Sequence, residues 1–128
     1  MSRRREAQSS VPDVLWERPS KEECWEDSET IGLEPPYFIV TRRLTYKGQL
    51  VEYAILLFRT ESDGTKRELV SIDSQHGMIH RHDGGDHDPR NRIVIRYVES
   101  QSDVQNSIDE STEYIFDVYE ASIEGPNT

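Results

Sequence analysis

All four histidines of the chain, His76, His80, His82 and His87, fall in one short stretch between Ser74 and Arg90. Arg81, Asp83 and Asp86 lie among them, Asp88 and Arg90 follow, and Asp73 stands just before. Imidazole is a common metal ligand and titrates near neutral pH, so this concentration allows two kinds of chemistry. In a strand, His80 and His82 project from one face with Cβ atoms about 7 Å apart. Two rings at that spacing can grip a single zinc-class ion. His76 or His87 would complete a histidine set, with Asp73, Asp83, Asp86 or Asp88 as a carboxylate ligand or hydrogen-bonded support. The expected ligand set is therefore His76, His80, His82 and His87, and the expected cofactor is a divalent transition metal such as zinc.

The rival chemistry needs no metal. His80 and His82 can serve as general base and general acid. Arg90 and Arg92, with Arg81 and Arg96 close by, can bind a phosphate or a developing oxyanion. Metal-independent RNA cleavage requires that combination. A calcium loop over Asp83-Gly84-Gly85-Asp86-His87-Asp88 has the carboxylates but lacks the alternation and closing glutamate of an EF-hand. The simplest alternative is a polar hairpin tip with solvated histidines. Phosphate-cradling glycine patterns are absent, because Asp83-Gly84-Gly85 does not join a strand to a helix.

A scaffold must hold this stretch. Tyr37 to Tyr46 is rich in β-branched and aromatic residues and reads as a strand, with Lys47-Gly48 as the turn after it. Gln49 to Arg59 is apolar on both faces, as a central strand is. Ser62-Asp63-Gly64 is the strongest hairpin signal, and Thr65 to Asp73 follows as a third strand. Ser74-Gln75-His76-Gly77 reads as a turn in which Gly77 takes positive φ. Met78 to His82 returns as a short strand, and Arg92 to Val98 adds another. From Ser102, a possible cap, the apolar stripe Val104, Ile108, Ile115 and Val118 follows helical spacing. The expected fold is α+β: a four- to five-stranded antiparallel meander with one C-terminal helix packed on a face. The expected organisation is a flexible acidic N-terminal arm over residues 1–35, a single domain over 36–122 and a disordered tail over 123–128. Within the arm, Ser20 and Glu23 have capping-box spacing, and Trp16 and Trp25 offer contact area to the sheet or to a partner.

Composition narrows the function classes. Twenty-five acidic against 15 basic side chains give a net charge of −10, so RNA contact needs a local Arg/His patch. An acidic surface also suits a partner with a basic face. Cys24 is the single cysteine, which excludes an intrachain disulfide and a multi-cysteine zinc site. It has no histidine beside it and is a poor nucleophile candidate. No apolar run has transmembrane length, and Met1-Ser2-Arg3-Arg4-Arg5 lacks the core of a secretory signal, so a cytoplasmic protein without membrane contact is expected.

The run Glu68-Leu69-Val70-Ser71-Ile72-Asp73, followed by His76-Gly77-Met78-Ile79-His80-Arg81-His82, resembles the TumE-type toxins of toxin–antitoxin pairs and related small domains. Those have antiparallel strands, a histidine-rich segment after a hairpin and a helix towards the end. The resemblance implies a toxin neutralised by an antitoxin-like protein partner and acting on RNA, a ribonuclease-like hydrolase. The alternative is a non-catalytic acidic binding module, an inhibitor or adaptor, with or without a structural metal site.

Overall fold

The computed structural model describes residues 18–124. Six strands form one antiparallel sheet in meander order: β1 (Trp25–Gly32), β2 (Tyr37–Tyr46), β3 (Gln49–Thr60), β4 (Lys66–Asp73), β5 (Met78–Asp83) and β6 (Ile93–Tyr97). A single helix, α1 (Gln101–Glu124), follows. The α+β meander with a C-terminal helix is as the sequence predicts, but the sheet has six strands rather than four or five.

The additional strand, β1, lies inside the segment read as a flexible arm. Trp25-Glu26-Asp27-Ser28-Glu29-Thr30-Ile31-Gly32 is exposed along its whole length, so it has no apolar alternation to betray it. Pairing holds it instead: it runs beside β2 from Trp25↔Thr45 to Gly32↔Phe38. Arg43 reaches both Asp27 (3.8 Å) and Glu29 (3.6 Å). Ahead of the strand, Lys21–Glu23 form one 3₁₀ turn, with the Ser20 N–H donating to Glu23 Oε1. Trp25 is 74% exposed at the start of β1, while Trp16 and residues 125–128 lie outside the described residues. Residues Ile123 and Glu124, assigned from sequence to the tail, belong to α1.

Turn chemistry is where the sequence put it. Lys47 and Gly48 both take positive φ between β2 and β3, as a two-residue hairpin requires. Gly64 takes φ +90 between β3 and β4, with Asp63 accepting the Thr65 N–H.

The faces follow from period two. Ile39, Tyr53, Ile55, Leu57, Val70, Ile72 and Ile79 point to the helix side and are almost fully buried with Val104 and Ile115. Ser107 and Ser111, polar residues inside the apolar stripe, are buried too, because the Tyr53 hydroxyl lies 2.9 Å from each of their oxygens. The helix is capped two residues earlier than the Ser102 reading: Asp103 N–H donates to Ser100 Oγ, and Asp103 Oδ2 accepts the Glu99 N–H. Register then fixes the other face. Asp73 pairs with His80 and Ser71 with His82, so these four side chains share the side away from α1. No helix among the described residues is long and apolar enough to cross a membrane.

A buried hydroxyl joining sheet to helix contributes on the order of 1–2 kcal/mol, because its removal takes a partner from Ser111, while Ser107 keeps its bond to the Val104 carbonyl. Tyr53→Phe is expected to lower the unfolding free energy by about that amount in urea titrations. An unchanged midpoint would show that Ser107 and Ser111 are satisfied without it.

Candidate metal centre

Asp73 ends β4, and His80 and His82 sit two residues apart on β5. The turn between the strands bends tightly: His76 (φ 61) and Gly77 (φ 73) are both left-handed, and Gly77 O accepts the Val98 N–H. With Asp73 opposite His80, one carboxylate reaches both rings. His80 Nε2 lies 2.8 Å from Asp73 Oδ1 and His82 Nε2 lies 3.2 Å from Oδ2. The backbone N–H of Gln75 also donates to Oδ1 at 3.1 Å. The two rings meet edge to face at 4.9 Å.

All three residues are buried: Asp73 is 8% exposed, His80 2% and His82 5%. Their potential ligand atoms, one from each, lie within 4.8 Å of one another, and this is the one such group among the described residues. In a tetrahedral zinc site with bonds of ~2.0–2.1 Å, neighbouring ligand atoms stand ~3.3 Å apart. The nitrogen-to-oxygen spacings here are close to that edge length.

The hydrogen-bond inventory of this block is incomplete. Four buried side-chain atoms have no partner among the described residues: Glu61 Oε2, Ser71 Oγ, His80 Nδ1 and His82 Nδ1. Three of the four belong to the block formed by Ser71, Asp73, His80 and His82. An unpartnered buried polar atom costs about 1–3 kcal/mol, so this block carries a cost that its side chains do not offset. The charge balance points the same way. Burial pushes the His80 imidazole below its ordinary value; the charge of Asp73 opposes that shift, and His82, Arg92 and His76 add to it. A ring favoured in its neutral form has a lone pair to offer, beside a carboxylate that attracts a cation.

The remaining expected residues are elsewhere. His87 comes round on the loop after β5 and stacks on His82, with centroids 4.5 Å apart, but its Nε2 is engaged by Glu68 Oε2 at 2.8 Å. His76 is exposed in the turn and does not join the cluster. Arg90 is exposed and held by Asp88 at 2.6 Å, and Arg92 is half-buried, acting on His80 through its charge. In the acidic loop, Asp86 accepts from the Asp88 N–H and Asn91 Nδ2, Asp88 accepts from Arg90, and Asp83 accepts from Arg81. Those carboxylates serve loop closure and do not converge on a calcium site. Glu68 had no sequence signal beyond its place on the same hairpin. Asp73 did have one: in a β4–β5 hairpin it is the acidic residue at the end of the strand that must lie beside the histidines.

Comparison with family models, with curated proteins and with solved structures finds no match for the chain.

With metal removed by chelator, the depressed His80 pKa sets a pH dependence. The unfolded ring takes up a proton below about pH 6.5, whereas the folded ring resists it. Stability is therefore complete above that pH and is lost as pH falls from there through the folded value. Urea midpoints are expected to drop between about pH 7.5 and about pH 5.5, and to drop less in His80→Gln. Equal slopes in both proteins would remove His80 from the account.

Proposed function

We propose that this protein is a non-catalytic interaction module whose sheet is stapled by one divalent transition metal ion, zinc by class, held at Asp73, His80 and His82. The observation that supports it is the convergence of two buried imidazoles, through Nε2, on one buried carboxylate, with ligand atoms of all three residues within 4.8 Å of one another. Borderline nitrogen and hard oxygen donors suit zinc and its neighbours better than calcium or magnesium. Three protein ligands leave a fourth position to a small molecule such as water; it is the burial of all three that suits a structural ion, whose binding energy adds to folding. The ion would tie the end of β4 to β5, across the tight turn at His76 and Gly77.

A histidine nuclease acting as a toxin is the other reading of the same residues. It asks for imidazoles open to a polynucleotide and for arginines turned towards them. The rings here are buried, and Arg90 is engaged by Asp88. Geometry therefore favours the ion over the nucleic acid.

Full-length protein carrying no polyhistidine tag is expected to bind one equivalent of zinc and to melt higher when it does. At a free-ion concentration a hundredfold above Kd the gain is about 2.7 kcal/mol, or roughly 10–20 °C for a domain of this size. Asp73→Asn, His80→Ala and His82→Ala are expected to lose the zinc-dependent rise, with Asp73→Asn weakening binding at least about tenfold. His76→Ala and Arg90→Ala are expected to keep it. Because the readout is the metal-dependent increment, a variant that is less stable overall still reports. A wild-type melting temperature indifferent to zinc would refute the site. If instead growth inhibition or RNA cleavage is found and lost in His80→Ala/His82→Ala, the nuclease reading replaces this one.

A further inference from the structure

The two outer strands of the sheet are unlike every strand between them. All eight residues of β1 and all five of β6 are exposed, and neither has a strand on its outer side among the described residues. An uncovered edge presents a row of backbone N–H and C=O groups to any strand that can pair with it. The side chains make these edges adhesive. On β6, Ile93, Val94, Ile95 and Tyr97 are 41%, 42%, 49% and 67% exposed; on β1, Trp25 and Ile31 are 74% and 40% exposed. β-branched and aromatic residues of this kind form the favourable cross-strand pairs of an antiparallel ladder.

Charge then selects which edges meet. β1 carries Glu26, Asp27 and Glu29, with no basic residue. β6 carries Arg96, with Arg92 just ahead of it and no acidic residue. Two β1 edges repel each other, as do two β6 edges, whereas β1 attracts β6. Strand direction agrees. Six strands in strict antiparallel order make β1 and β6 run in opposite directions. A second copy carried along the sheet therefore sets its β1 antiparallel to β6 of the first, with both helices on the same side. Arg96 lies on the helix side of β6, where it bonds Glu110, and Asp27 and Glu29 lie on the helix side of β1. The opposite charges fall on matching faces.

We infer that the chain self-associates head to tail, the acidic β1 edge of one copy adding to the Arg-bearing β6 edge of the next. The contact is heterologous, so it extends or closes into a ring rather than stopping at a two-fold dimer. Five residues of edge pairing make a small interface, so the association is weak and grows with concentration. Complementary charge makes it salt-sensitive. The inference is independent of the metal reading, because neither strand contributes a ligand.

Sedimentation velocity of the full chain is the test, run from low micromolar to several hundred micromolar in low salt and again in high salt. The weight-average mass is expected to rise with concentration beyond that of a dimer and to fall back in high salt. A mass that stays monomeric, or that saturates at the dimer, overturns the inference. Two edge variants fix the polarity: Asp27→Lys/Glu29→Lys makes both edges basic, and Ile93→Glu/Ile95→Glu acidifies β6. Each is expected to be monomeric alone, with circular dichroism confirming its fold, and mixing the two is expected to restore association. Association of either variant alone, or none on mixing, would contradict β1-to-β6 pairing. The salt series of the unaltered chain stands if a variant does not fold.

Discussion

One carboxylate organises the polar face of this protein. Asp73 accepts from His80, from His82 and from the Gln75 backbone while almost wholly out of solvent. A buried anion is tolerable only where hydrogen bonds or opposite charge replace water. Here the hydrogen bonds are present, while burial disfavours the protonated His80 that would add a countercharge. A divalent ion held between that carboxylate and the two Nε2 atoms would supply that countercharge. The tight turn at His76 and Gly77, the pairing of Asp73 with His80 and the stacking of His87 on His82 all bear on this contact.

The helix makes the arrangement possible from the opposite side. Its buried stripe covers the apolar faces of β3 and β4, which frees the reverse face for polar work. Tyr53 is the hinge of this division. Its ring is in the core, its hydroxyl meets two helix serines, and its backbone N–H donates to Ser74 Oγ in the turn that follows Asp73. A single central strand thus couples the helix to the turn that sets the spacing of Asp73 and the histidines.

Much of this was legible in the sequence because period two is strict: once β5 is a strand, His80 and His82 must share a face. The hairpin turns at Lys47-Gly48 and Ser62-Asp63-Gly64 were legible for the same kind of reason, since backbone geometry demands those residue types. What escaped depends on pairing rather than pattern. β1 is polar on both faces and is held by its neighbour and by Arg43, so no apolar period marks it. Asp73 was one carboxylate among four until register set it opposite His80. Glu68 carried no signal, because its bond to His87 depends on how the glycine loop folds back. His76 and His87 counted towards the site by proximity in sequence, but the turn and the loop carry them away from the shared carboxylate.

The most direct measurement is nitrogen-15 spectroscopy of the four imidazoles during titration with zinc. The account predicts that the ring nitrogens of His80 and His82 shift together and saturate at one equivalent, while those of His76 keep their positions. It would be contradicted by shifts confined to the exposed His76 and His87, or by His80 and His82 resonances that ignore the metal.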